Sequence, residues 1–282
     1  MTNYYFAFCQ GDVLLTTEGN IPFGDTPPIS FQPWEHVTDI QADGCCCHVY
    51  RLERPIVGKE GLQMMPLRAS FDVLSQQEYA LAGKAAELIY WDQNTKYCGC
   101  CGAPMKLHTP ISKRCSECGK EVWPQLATAV IVRITRFKDL RMIEEGTQPQ
   151  ASNIKSSNAP IEEVLLVHAN NFRRPYYGLV AGFVETGETL EEAVRREVHE
   201  ETGIEITDIR YFGSQPWPYP CGLMVGFTAK YVSGDIHLQR SELSKGGWFT
   251  RDNMPPIPGK SSIARALIDD WLQAADCRDT NT

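Results

Sequence analysis

Residues 182–204 read GFVETGETLEEAVRREVHEETGI. A glycine-bearing turn enters a segment crowded with carboxylates. Thr189 is placed as an N-cap, and Glu192, three residues on, completes a capping box. Gly203 stands where a left-handed C′ residue is expected. The pattern predicts a helix over about Leu190–Thr202. At about 100° per residue, Leu190, Ala193, Val194, Val198 and Ile204 fall on one half of the wheel, the half that should face a core. Glu197 and Glu201 fall in the middle of that half, with Glu200 at its edge. Glu191, Glu192, Arg195, His199 and Thr202 are expected to face outward. An acidic helix is usually solvated, and that reading holds for Glu191 and Glu192. A burying face carries carboxylates only when they are paired or bind a cation. Glu197, Glu200 and Glu201 also repel one another at i, i+3 and i+4. Mg2+ or Mn2+, which prefer carboxylate oxygens, would resolve the conflict.

Gly182, Glu188, Arg196, Glu197, Glu200, Glu201 and Gly203 stand at the fixed positions of the Nudix box: G, five residues, E, seven residues, R-E, an apolar residue, any residue, E-E, any residue, G and an apolar residue. The resemblance to the Nudix hydrolases implies an α/β/α sandwich of the α+β or α/β class. This helix would supply the metal ligands. The family hydrolyses nucleoside diphosphates linked to another moiety.

A chain of 282 residues has room for about two domains and a sizeable core. The net charge of −8 argues against broad electrostatic attraction to nucleic acid. The N-terminal MTNYYFAFCQ lacks the charge and apolar core of a signal peptide, and no apolar run reaches a membrane-spanning length. Eleven cysteines, an odd count, suit a reducing compartment with thiols and a metal site better than a disulfide framework. A cytoplasmic protein is expected.

Residues 1–95 read as a β-rich domain closing in a helix. Tyr4–Phe8, Val13–Thr17, His48–Leu52 and Gln63–Pro66 are its strand candidates. Ser75 and Glu78 form a capping box, and Tyr79, Ala82, Ala86, Ile89 and Tyr90 make the helical stripe. Cys45, Cys46 and Cys47 read as incidental thiols on a strand edge. Residues 96–124 form a second module. Cys98-x2-Cys101 and Cys115-x2-Cys118, thirteen residues apart, are two knuckles suited to one tetrahedral structural Zn2+ per chain. A module this short needs metal to fold. Cys100 reads as a bystander. Lys106, His108, Lys113 and Arg114 make the ribbon mildly basic, which keeps nucleic-acid binding open as a rival role.

Residues 125–282 carry the box. Leu126–Arg136, Val164–His168, Arg210–Phe212 and Leu223–Val232 read as strands, Tyr177–Phe183 leads into the box, and residues 261–275 read as an amphipathic helix. The polar stretch between the first two strands, about 138–163, reads as a long loop.

Ser214–Pro220 reads SQPWPYP. Three prolines stiffen the backbone into extended geometry, so Trp217 and Tyr219 are held at little ordering cost. Trp217 is either a stacking surface for a heteroaromatic ring or a lid on the core. A segment resembling this one, about ten residues beyond a Nudix box, marks the NADH pyrophosphatase subfamily, whose members also carry an N-terminal domain and a four-cysteine ribbon. That resemblance implies hydrolysis of NAD(H) to AMP and nicotinamide mononucleotide. It also implies removal of an NAD cap from RNA, where the same bond is cut.

The same resemblance implies most of the site. Glu197, Glu200 and Glu201 are metal ligands and catalytic groups, with Arg196 orienting a carboxylate. Glu242 is a distal ligand, and the Ala181 carbonyl a backbone ligand. Phe183, Trp123 and Trp217 are stacking surfaces. Gln215, Pro216, Pro218, Tyr219, Pro220, Cys221 and Gly222 complete the recognition segment, and Ala264 lines the base pocket. Arg68 matches the family's N-terminal arginine. Tyr219 replaces a usual Phe, and Gly222 a usual Ser. A homodimer without membrane attachment is implied. The alternatives are a Nudix hydrolase of ADP-ribose or a dinucleoside polyphosphate, and a non-catalytic Nudix-fold sensor or zinc-ribbon nucleic-acid binder.

Overall fold

A computed structural model describes residues 3–42, 44–138, 160–172 and 175–279, without the side chains of residues 275–279. The expected long loop falls mostly at 139–159, outside the described residues. The chain forms two compact units. One comprises residues 1–127 with 216–222, and the other residues 128–215 with 223–282.

In the first unit, β1 (Asn3–Cys9), β2 (Asp12–Thr16), β3 (Phe23–Gly24), β4 (His36–Ala42), β5 (Cys45–Arg51) and β6 (Leu62–Pro66) form one sheet, ordered β4-β5-β1-β2-β6 with β3 also on β1. Strand alternation divides its side chains. Phe6, Phe8, Val13, Leu15, Cys47 and Val49 pack on one face against Ala82, Ala85, Leu88, Ile89 and Trp91 of α1 (Gln76–Asn94). Ala7, Cys9, Leu14 and Leu52 pack on the other. Ser75 caps α1 through the reciprocal bonds with Glu78. The buried stripe differs from the expected one at its edge: Tyr90 is exposed, and Leu88 and Trp91 take the inward positions.

The ribbon follows as β7 (Met105–Thr109), β8 (Ser112–Cys115) and β9 (Glu121–Val122), a three-stranded sheet. Its own apolar cluster is only Cys98, Met105 and Cys115, with Ala103 and Val122 against it.

The second unit is built on β10 (Ala127–Lys138), β11 (Ile161–Ala169), β12 (Val180–Phe183), β13 (Glu205–Pro216), β14 (Gly222–Ser233) and β15 (Leu243–Phe249). The order is β13-β14-β10-β11-β15, with β12 also on β10. Period-two alternation sends Val130, Val132, Ile134, Leu165 and Val167 to one face, against Ala193, Val194 and Val198 of α2 (Leu190–Thr202). Ile131, Val164 and Leu166 go to the other, against Ile263, Leu267, Ile268 and Trp271 of α3 (Ile263–Asp279). A helix on each face of one sheet is the expected α/β/α sandwich. Within the lead-in Tyr177–Phe183, Val180–Phe183 is a strand. β3, β4, the ribbon strands β7, β8 and β9, and β15 have no counterpart among the sequence-based expectations.

Candidate functional site: a clamped carboxylate centre

The site starts from how α2 is fixed. Thr189 and Glu192 exchange both capping-box bonds, and Gly203 closes the helix at φ 71°. The last carbonyls of α2 would otherwise be orphaned. His237 N–H donates to Thr202 O, and Gln239 N–H to Glu201 O, both at 2.9 Å. Those bonds tie the loop before β15 to the end of α2. Glu242 ends that loop, its N–H donating to Gln239 O at 3.0 Å. The distal carboxylate is thereby brought to face Glu197 and Glu201, whose ionisation its charge opposes.

Glu201 is buried, Glu197 half-buried and Glu200 exposed, matching their angles on the wheel. Thr202 does not match. It is fully buried, with its hydroxyl donating to Val198 O. The loop that passes over the helix end covers a position that the wheel alone leaves outside.

Arg196 binds the cluster together. Its Nε and Nη2 donate to the two oxygens of Glu188 at 3.0 and 2.7 Å. Nη1 donates to Glu197 at 2.9 Å and Glu200 at 3.1 Å, and Nη2 to the Phe183 carbonyl at 2.8 Å. Orientation of carboxylates by Arg196 is thus carried further than its i−4 relation to Glu200 suggests. Glu188, read from sequence only as a motif position, is the bidentate anchor of the clamp, and its Oε1 also accepts from Glu185 N–H at 2.6 Å.

Gly182 explains its own identity. A Cβ there would lie 1.9–2.2 Å from the carboxyl carbon and oxygens of Glu197. The neighbouring Ala181 is half-buried in β12, and Phe183 presents an exposed ring.

The electrostatics are those of a cation site. Burial, then Glu197 and Glu242, push the Glu201 carboxyl up to about 8. Burial also raises Glu197, against the bonds from Arg196. Among the described residues, Glu201 Oε2 is a buried oxygen without a hydrogen-bond partner. An all-oxygen donor set with one oxygen left unpaired in a buried position fits a hard divalent cation.

The ribbon offers a different donor set. The Sγ atoms of Cys98, Cys101, Cys115 and Cys118 lie within 4.8 Å of one another. Cys98–Cys118 is 3.6 Å and Cys101–Cys115 3.4 Å, close to the roughly 3.8 Å between sulfurs of a tetrahedral zinc site. Knuckle N–H groups of Cys118 and then Glu117 lower Cys115 to about 6, and those of Cys100 and Cys101 lower Cys98. Backbone donors favour the ionised form at all four, while the neighbouring sulfurs push Cys101 and Cys118 up; four sulfurs gathered around one point fit Zn2+. Cys100 is exposed and outside the four-sulfur group. Purified protein is expected to hold about one zinc per chain by elemental analysis. Cys115→Ser should lose it and melt earlier, whereas Cys100→Ser should keep it.

The basic character expected of the ribbon is partly engaged, although Lys106, His108 and Arg114 are exposed. Lys113 is buried, its Nζ on Asp92 Oδ1 at 2.8 Å and on the Asp92 and Thr95 carbonyls. Arg114 pairs with Glu121 at 2.9 Å. Two of the four cations counted for nucleic acid are therefore engaged.

The segment Pro216–Gly222 belongs to the first unit. β13 ends at Pro216 and the chain bends over residues 219–221, so the segment is extended only at its start. Pro218 packs against Gly83, where a Cβ would come within 3.2 Å of it. Tyr219 and Tyr79 share a hydroxyl bond of 2.6 Å. The Arg68 guanidinium lies 5.0 Å from the Trp217 ring and 4.4 Å from that of Tyr219. Arg68, matched by resemblance to the family's N-terminal arginine, is in contact with the segment. A Cβ at Gly222 would sit 3.2 Å from the Ala127 carbonyl, a tight approach. Cys221 and Trp217 are half-buried and Trp123 is exposed. In the second unit, Gln215 uses its amide on α3, donating to Ser261 O and accepting from Ile263 N–H. Ala264 is half-buried in the α3 cluster.

A NUDIX domain model matches residues 153–270, and a model of an NADH pyrophosphatase-like rudimentary NUDIX domain matches residues 2–91. A Deinococcus radiodurans protein named NAD-capped RNA hydrolase NudC is 38% identical over 277 residues, covering 95% of this chain and 87% of its own. A Pseudomonas aeruginosa protein of the same name is 36% identical, covering 80% and 72%. One from Vibrio vulnificus is 35% identical, covering 76% and 73%. With a relative this similar along almost its whole length, the chain belongs to the NudC-type, NADH pyrophosphatase-like Nudix hydrolases.

Proposed function

We propose that the chain hydrolyses the diphosphate bond of NAD(H) to AMP and nicotinamide mononucleotide. The same cleavage removes an NAD cap from RNA, because the AMP half is then the first nucleotide. The buried, unpaired Glu201 oxygen inside a carboxylate cluster clamped by Arg196 is the observation that carries this reading. A non-catalytic sensor has no need of that arrangement.

Glu197, Glu200, Glu201 and Glu242 would hold Mg2+ or Mn2+, with the Ala181 carbonyl as a backbone ligand. Such cations neutralise diphosphate charge and favour ionisation of the attacking water. Glu201 Oε2 is the oxygen available to a cation or to a proton. Arg196 fixes Glu197 and Glu200 so that neither must reorganise as the bond breaks. Gly182 leaves the space that the Glu197 carboxylate fills. Zn2+ in the ribbon would be structural. Residues 1–95, 96–124 and 125–282 are taken as the N-terminal, ribbon and hydrolase domains, in a homodimeric, cytoplasmic protein.

Selectivity for NAD requires surfaces outside the box, because a metal-diphosphate unit is common to many nucleotides. Trp217, with Arg68 against its ring, is the stacking surface, and Phe183 and Trp123 are exposed aromatics for the same purpose. Stacking of about 1–3 kcal/mol makes Trp217→Ala lower kcat/KM for NADH by about 5- to 150-fold, mostly through KM. Activity on ADP-ribose should fall much less. Equal losses on both substrates with a lowered Tm would assign Trp217 to packing instead.

A further inference from the structure

We propose that His36, Asp39 and His48, with Cys46 as a fourth donor, form an exchangeable transition-metal site in the first unit, separate from the ribbon and from the carboxylate centre.

The sheet register builds it. Asp39 stands opposite His48, Gln41 opposite Cys46, and His36 opposite Tyr50. Directly opposed residues share a face, so Asp39, Cys46 and His48 project together while Cys47 and Val49 point into the core. His36 is three residues from Asp39, and in a regular strand the two would point to opposite faces. A register shift between His36 and Thr38 adds the residue that returns His36 to the face of Asp39. The bulge thereby gathers both imidazoles on one carboxylate.

His36 Nε2 and His48 Nδ1 each lie 2.8 Å from Asp39 Oδ1. Cys46 Sγ is 3.9 Å from His48 Nδ1. The ligand atoms of His36, Asp39 and His48 all lie within 4.8 Å of one another. In a tetrahedral site with bonds of about 2.0–2.3 Å, donors stand roughly 3.3–3.7 Å apart. Retreat of Asp39 by about half an ångström therefore makes room for the ion, and the Cys46 sulfur, 3.9 Å from His48 but outside the three-residue group, swings in to become the fourth donor. The rings are held: His48 stacks on Tyr5 at 5.4 Å, and His36 meets the Tyr50 ring edge at 5.5 Å. Side-chain exposures of 39% for His36, 44% for Asp39 and 25% for His48 leave an entry path. Two imidazoles, one carboxylate and one thiol select Zn2+, Ni2+ or Co2+ over Mg2+, which prefers an all-oxygen shell.

The test is equilibrium dialysis of untagged, full-length protein, first brought to one tightly held zinc per chain, against Ni2+, with excess Mg2+ present to occupy the carboxylate centre. Nickel and zinc are counted in the same samples. About one Ni2+ per chain is expected beyond the ribbon zinc. His36→Gln and His48→Gln, which retain polar side chains, should each weaken nickel binding by about 10-fold or more. Cys46→Ser should weaken it less, and zinc should stay unchanged in all three. Absence of nickel uptake by the wild type, or uptake by both histidine variants equal to wild type, would overturn the site. Uptake lost in Glu201→Gln but kept in the histidine variants would place the nickel on the carboxylate centre and overturn it equally.

Discussion

Glu201→Gln is expected to lower kcat by about 10²-fold or more while the protein folds normally, as for loss of a metal ligand or general base. Glu191→Gln, on the exposed side of α2, should be nearly silent. A second readout separates catalysis from folding. Burial, then Glu197 and Glu242, raise the Glu201 carboxyl from 4.5 to about 8. Between those pH values the folded state holds a proton that the unfolded chain releases. Stability from this group is therefore lost as pH rises through that window. Glutamine carries no such charge. Without added Mg2+ or Mn2+, the Tm of the variant relative to wild type should climb between pH 4.5 and pH 8. Wild-type turnover in the variant, or a Tm difference that shrinks with rising pH, would contradict the role given to Glu201.

Gly182→Ala is expected to cost activity on a similar scale with little loss of stability. The added methyl would occupy the position of the Glu197 carboxylate. That carboxylate ends a flexible side chain, so it swings aside more cheaply than the backbone moves. Gly182 has no left-handed φ to make alanine strained. Glu197 would then leave both the cluster and the Nη1 of Arg196, which holds it at 2.9 Å. A kcat lower by about 10²-fold at nearly unchanged Tm is the expected pattern, that of a displaced metal ligand. A large fall in Tm with residual kcat intact would show that the glycine serves strand packing instead.

What was legible in the sequence was local. Thr189, Glu192 and Gly203 bound α2 because caps act within a few residues, and the apolar period put Glu197 and Glu201 on the inner half. LATAVIVRITR read as a strand, and Ala127–Lys138 is one. What escaped depended on contacts between distant segments. Thr202 is buried by the loop at His237–Gln239, and Lys113 by the end of α1, where Asp92 and Thr95 receive it. Gln215 caps a helix that begins 48 residues later. β15 was hidden by Gly246, which in LSKGGWF reads as a turn. A Cβ there would come within 3.1 Å of both Leu238 and Val167, so the strand packs tightly at that point. The gathering of His36, Asp39 and His48 rests on a bulge, and register is a property of a strand pair rather than of either strand.

The most direct measurement is a side-by-side product analysis and kcat/KM determination on NADH, NAD+, NAD-capped RNA and ADP-ribose, with Mg2+ and with Mn2+. The expected result is cleavage within the diphosphate. NADH or NAD+ should release AMP and the nicotinamide mononucleotide, with kcat/KM above that for ADP-ribose. Turnover of ADP-ribose as fast as of any NAD substrate would contradict the NAD assignment, and absence of turnover on all four would contradict the catalytic one.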